Sequence, residues 1–182
     1  RDTAGDRRRH GGEPAQALAA DVTGVRDLYL VATVGDDTYN YDQAIWAAPK
    51  LTDRDGRAVD LTTVKPADTT VGWGAFHVNA AHSGGPLSIG GVRVEKGFYA
   101  HAPSVLHFKL DGRYVRFEAS VGIATASGSN GSSAFEVTDT APKRPAPQPA
   151  AALKVSSAGK PPHQLNAAAA KALLAQGVKK LV

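Results

Sequence analysis

The sequence predicts an all-β sandwich of jelly-roll type, and three observations carry that expectation. The 182-residue chain has 19 glycines and 11 prolines against five Phe, five Tyr and two Trp. That balance suits a turn-rich β protein, because turns use glycine for positive φ and proline for fixed φ. In SVLHFKL, Leu106, Phe108 and Leu110 alternate with His107 and Lys109. In YVRFEASV, Val115, Phe117, Ala119 and Val121 alternate with Arg116, Glu118 and Ser120. Period two is the mark of half-exposed antiparallel strands. Finally, Asp55-Gly56 and Asp111-Gly112 read as turns between apolar stretches.

In chain order, residues 1–20 open with RDTAGDRRRHGGEPAQ, which has no periodicity and reads as a disordered arm. The sandwich is placed at 21–141. Leu28, Leu30 and Ala32 face one way and Tyr29, Val31 and Thr33 the other, and two apolar faces indicate a buried strand. Further strands are expected around 70–78, 87–89, 92–94, 104–110, 114–121 and 134–137. Residues 142–164 form a Pro-rich linker, extended because proline removes a donor and fixes φ. Residues 165–182 read as a short helix, with Asn166 as N-cap and Gly177 just past the end, followed by the start of another region.

The composition also excludes several function classes. Without cysteine there are no disulfides, thiolate metal sites or cysteine nucleophiles. Without methionine the chain is expected to be a processed product or a piece of something longer. No apolar run approaches the roughly 20 residues that span a bilayer. The formal charge of +4 divides into +1 over residues 1–20, −4 over 21–140 and +7 over 141–182. A nucleic-acid domain concentrates basic residues on its folded part. Here the folded part is mildly acidic, so nucleic acid is not an expected partner.

Five motifs then appear in order: VGWG at 71–74, GGPLSIGG at 84–91, KGFYAHAPS at 96–104, YVRFEASVGI at 114–123 and FEV at 135–137. Together they resemble the NPCBM family of carbohydrate-binding modules. The resemblance implies a galactose-binding-like jelly roll, appended to a larger secreted, periplasmic or cell-surface protein and often binding terminal galactose-type sugars. Two departures stand out. The family usually has an acidic residue just after VGI, where this chain has Ala124 and the small polar loop TASGSNGSS. In addition, GVRDLYLVATVGDDTYNYDQAIW looks like the family's last strand but precedes the other motifs, with Gln43 in place of a His and Asp37 in place of a Gly. Either the jelly roll is permuted and this strand completes it, or the chain begins with the end of a preceding module. Permutation is favoured, because an orphan hairpin is only marginally stable.

The candidate ligand-binding residues are Trp73, His101, Asp42, Trp46 and Arg116. Trp73, between Gly72 and Gly74, is placed either to stack on a sugar face or to cap the core with glycines giving close backbone approach. His101, read in a short loop before Pro103, offers a neutral imidazole to a hydroxyl or ties its loop to a carbonyl. Asp42 and Trp46 could supply a carboxylate and a ring, or a turn acceptor and a core residue. Arg116 points outward by alternation and gains interest only beside Trp73 or His101. His77, His82 and His107 have no zinc-motif spacing. The acids of TDRDG suit a turn better than a calcium loop, although a structural calcium remains compatible with the sequence; no other cofactor is expected. Paired convergent carboxylates and a nucleophile elbow are not evident. The expected function is a non-catalytic module that binds a glycan for a larger protein. The alternative is a structural or protein-interaction module that keeps the fold without the sugar site.

Overall fold

A computed structural model of the chain describes residues 7–35 and 39–143. Its strands are β1 (Arg7–His10), β2 (Gln16–Asp21), β3 (Asp27–Val34), β4 (Gln43–Asp53), β5 (Ala58–Asp60), β6 (Asp68–Thr70), β7 (His77–Val78), β8 (Leu87–Ile89), β9 (Val92–Val94), β10 (Gly97–His101), β11 (Ser104–Lys109), β12 (Tyr114–Ile123) and β13 (Ser132–Thr138). One antiparallel sheet has the order β1-β13-β3-β11-β6. The second runs β2-β12-β4-β10-β7, with β5 added to β4, and β8-β9 form a separate hairpin.

The two sheets bury a common core. Period-two alternation sends Leu28, Leu30, Leu106, Phe108, Phe135 and Val137 inward from the first sheet, and Leu18, Trp46, Phe98, Phe117 and Val121 from the second, while a bulge in β4 between Ala47 and Lys50 switches its parity and turns Leu51 inward too. This is the β-sandwich that the alternating strands predict. The Trp46 indole meets Phe117 and Phe135 edge-on, with centroids 6.3 and 5.2 Å away. Ile45, Ala47 and Tyr99 have the opposite parity and face out of the sandwich. Leu87 and Ile89 of the β8-β9 hairpin cover them in a second buried cluster.

The segment resembling the family's last strand lies inside this sandwich. β3 pairs with both β13 and β11, and β4 with both β12 and β10, so residues from 27 onward are central to both sheets. The Asp55-Gly56 turn closes the β4-β5 hairpin as expected. Asp111-Gly112 does something else: β11 and β12 belong to different sheets, so this turn carries the chain across the sandwich.

The disordered arm expected over 1–20 is corrected from residue 7 onward. β1 adds to β13 at one sheet edge and β2 adds to β12 at an edge of the other. Edge strands hold mainly by backbone bonds, so RRRH needs no apolar period. In QALAAD the inward residues are only Leu18 and Ala20, too small a signal beside Ala17 and Ala19. Arg9 ties down the intervening turn, donating to Gln16 Oε1 and Pro14 O at 3.0 Å each and pairing with Glu13 at 2.7 Å. The expected strand over 70–78 is also broken: Val71–Phe76, which includes Trp73, loop out between β6 and β7. The linker beyond Lys143 and the helix capped by Asn166 lie outside the described residues.

Candidate functional site

The β6-β7 loop presents Trp73 at one end of the sandwich. Gly72 allows this by close approach: its N–H donates to the His101 carbonyl at 3.0 Å, and a β-carbon on it would lie 2.6 Å from the Ala102 carbonyl oxygen. Gly74 has φ +71°, a left-handed conformation that suits glycine, and a β-carbon there would press on the His82 ring. The Trp73 indole is 53% exposed. Its ring centroid lies 4.5 Å from that of His82 and 5.8 Å from that of His101, so two imidazoles hold it from the protein side. His82 in turn contacts His77 and Tyr99, which joins the shelf to the cluster under the β8-β9 hairpin.

Trp73 borders an open cleft of about 500 Å3 whose other lining residues are Tyr39, Asn40, Tyr41, Gln43 and His101. Tyr41 is 55% exposed. Gln43 opens β4 directly across from His101, the last residue of β10. His101 is therefore a strand terminus rather than a loop residue. It is almost wholly buried, and its Nδ1 lies 2.8 Å from the Ala102 carbonyl. A carbonyl oxygen only accepts, so Nδ1 carries the proton and Nε2 of the neutral ring is an acceptor. Burial is the largest influence on this imidazole and holds its pKa below the ordinary value. The bond to Ala102 works against that, and His82 adds to it. The lining holds no Asp, Glu, Lys or Arg side chain. The cleft is thus built from rings, amides and a neutral imidazole, which pack against C–H surface and exchange hydrogen bonds with hydroxyls.

The remaining sequence candidates fall elsewhere. Trp46 is fully buried between the sheets and is corrected from a ligand ring to a core residue. Its inward parity on β4 decides this. Asp42 is also fully buried, and its Oδ1 accepts from the Ser132 N–H at 2.8 Å. Its carbonyl accepts from Ala102 N–H at 2.8 Å, so it supports the cleft from behind. Arg116 lines a different depression with Lys50 and Glu118. There its Nε pairs with Glu118 at 3.2 Å, opposite Lys50 at 3.3 Å. Lys50 first, with Arg116 after it, holds the Glu118 carboxyl below its usual range. Arg116 thus belongs to a charge-laced outer face. Asp53 Oδ1 accepts from the N–H groups of Asp55 and Arg57, so Asp53 closes the turn in TDRDG. Among the described residues no group of three or more His, Cys, Asp or Glu could hold a metal ion.

The sequence reading missed Tyr39, Asn40, Tyr41 and the supporting role of His82. It registered Gln43 only as a departure, and the available signal was the position of YNYDQ at the tip leading into β4.

The family model for the NPCBM/NEW2 domain matches residues 2–52 and 57–172. The chain belongs to that family. Comparison with curated proteins and with solved structures gives no match. The family is one of carbohydrate-binding modules, which are generally non-catalytic. In this chain the VGWG motif forms the Trp73 shelf, GGPLSIGG the covering hairpin and KGFYAHAPS the strand that ends at His101. No helix among the described residues is long and apolar enough to cross a membrane.

Proposed function

We propose that this NPCBM/NEW2 domain binds a terminal galactose-type sugar in the Trp73 cleft and acts as a non-catalytic accessory module of a larger extracellular protein. The observation that carries this reading is the exposed indole at the mouth of a cleft lined by uncharged hydrogen-bonding groups. A galactopyranoside has its 4-hydroxyl axial on one side, which leaves a continuous C–H patch on the other. That patch stacks on Trp73, while the hydroxyls meet Gln43, Asn40 and the Nε2 acceptor of His101. Burial of His101 favours the neutral form of that acceptor. The site is shallow and contacts few ligand atoms, so a single sugar binds weakly.

A purely structural module gains nothing from an exposed indole, so the exposure of Trp73 favours a binding role, and the uncharged hydrogen-bonding lining of the cleft favours a sugar over a protein partner. The test is an immobilised glycan array of neutral and acidic sugars probed with the full chain and with Trp73→Ala. Binding to galactose-terminated glycans that is lost in the variant is the expected result. A silent array, or binding unchanged by Trp73→Ala, rejects the proposal. Selective binding of another sugar through Trp73 keeps the site and replaces the galactose assignment.

A further inference from the structure

Tyr41 stands on the left-handed side of the backbone map, at φ +68°. For a bulky residue that conformation is an outlier and persists only where the surroundings enforce it. The enforcing contacts are specific. The Tyr41 carbonyl accepts from Ser127 Oγ at 2.7 Å and from the Gln43 N–H at 2.7 Å. Gly131 packs its Cα against the same carbonyl, so closely that a β-carbon on it would overlap the oxygen. Gly131 is itself held from behind, its carbonyl accepting from the Gly11 N–H at 3.0 Å. Next to it, the Ser132 N–H donates to Asp42, which fixes the residue following Tyr41. The loop 124–131 is thus bound to the backbone of residues 41–43, and Tyr41 remains 55% exposed on the cleft that Trp73 borders.

From this arrangement we infer that Tyr41 is the second sugar-contacting ring of the cleft and that Ser127 and Gly131 are positioning residues that hold it there. The inference rests on the sugar-binding reading above and deepens it. It also gives the small polar loop after Ile123, which lacks the acid expected at that place, a role. The loop supports the site through the Tyr41 backbone. An unstrained alternative residue at 41 is available chemically, since asparagine tolerates the left-handed region. Retaining tyrosine there exchanges backbone comfort for an exposed ring.

The test uses the full chain on the same glycan array, with a thermal melt of each variant. Tyr41→Asn relieves the backbone and removes the ring, so its Tm rises by about 2–4 °C while glycan binding weakens about tenfold or more. Tyr41→Phe keeps both ring and strain, so its melt stays at the parent value and its binding exceeds that of Tyr41→Asn. Ser127→Ala, which removes no ligand contact, weakens binding about threefold in the parent and has no further effect in the Tyr41→Asn background, because its influence passes through Tyr41. The inference is overturned if Trp73→Ala abolishes binding while Tyr41→Asn leaves it intact. It is equally overturned if Tyr41→Asn lowers the Tm, or if Ser127→Ala acts independently of Tyr41. A parent chain that binds no glycan overturns the sugar-binding reading itself, and this inference with it.

Discussion

Gly122 of β12 and Ile89 of β8 meet where the hairpin seats on the outer face of the second sheet, and a β-carbon on Gly122 would overlap the Ile89 Cγ2 methyl. Ile89 is buried and β-branched, so it has no cheap escape. Gly122→Ala therefore lifts the β8-β9 hairpin off Ile45 and Tyr99 and destabilises the domain by about 1–3 kcal/mol, the usual range for overpacking. Chemical denaturation measures the loss, and amide exchange localises it to residues 87–94. An unchanged midpoint would show that the hairpin is not seated by this contact.

The two tryptophans make opposite predictions. Trp46 is enclosed by Phe117 and Phe135, whereas Trp73 is half exposed. Trp46→Ala costs about 3–5 kcal/mol through lost burial and a residual cavity. Trp73→Ala changes stability by no more than about 0.5 kcal/mol. Fluorescence separates them directly. In Trp46→Phe the remaining emission is red-shifted and readily quenched by iodide, and in Trp73→Phe it is blue-shifted and protected. Quenching of both indoles to the same extent would contradict the assignment.

Much of the sandwich was legible because alternation in 104–110 and 114–121 reports which side chains face the core, and the backbone honoured it. The edge strands were not legible. β1 has no apolar side chains, and β2 buries one leucine and one alanine, so their pairing is decided by backbone bonds that leave no pattern in sequence. The cleft was half legible. The glycines around Trp73 marked a special backbone but did not decide between exposure and burial, which depends on the fit of Gly72 against Ala102 and of Gly74 against His82. Trp46 lies inside by the parity of β4, and that parity could be assigned only once the register with β12 was known. Tyr41 gave no signal, because a left-handed tyrosine is created by contacts from residues about 90 positions away.

Asp42 offers a test of the support behind the cleft. Its carboxylate accepts from the Ser132 N–H in a fully buried position, so Asp42→Ala leaves that amide without its acceptor. The expected cost is about 1–3 kcal/mol. Asp42→Asn retains a carbonyl oxygen at the accepting position and loses less. Urea denaturation of the two variants should rank them in that order, and equal stability would mean that Ser132 is satisfied in another way.

His101 links the cleft to acidity. Burial holds its folded pKa below the ordinary imidazole value of 6.5. As the pH falls below about 6.5, the unfolded chain takes up a proton at this position before the folded one does. Stability rises with pH wherever the unfolded state binds more protons, so His101 contributes a decline on acidification from about 6.5 toward its lower folded value and no pH dependence above that range. His101→Gln removes this component. Unfolding free energies measured from pH 5 to 8 should therefore show a parent-minus-variant difference that is flat above about 6.5 and falls below it. Glycan binding through the neutral Nε2 acceptor should survive mild acidification and weaken only once the folded imidazole protonates. A difference curve that rises on acidification would mean that the folded protein favours the charged ring, and would remove His101 as a neutral acceptor.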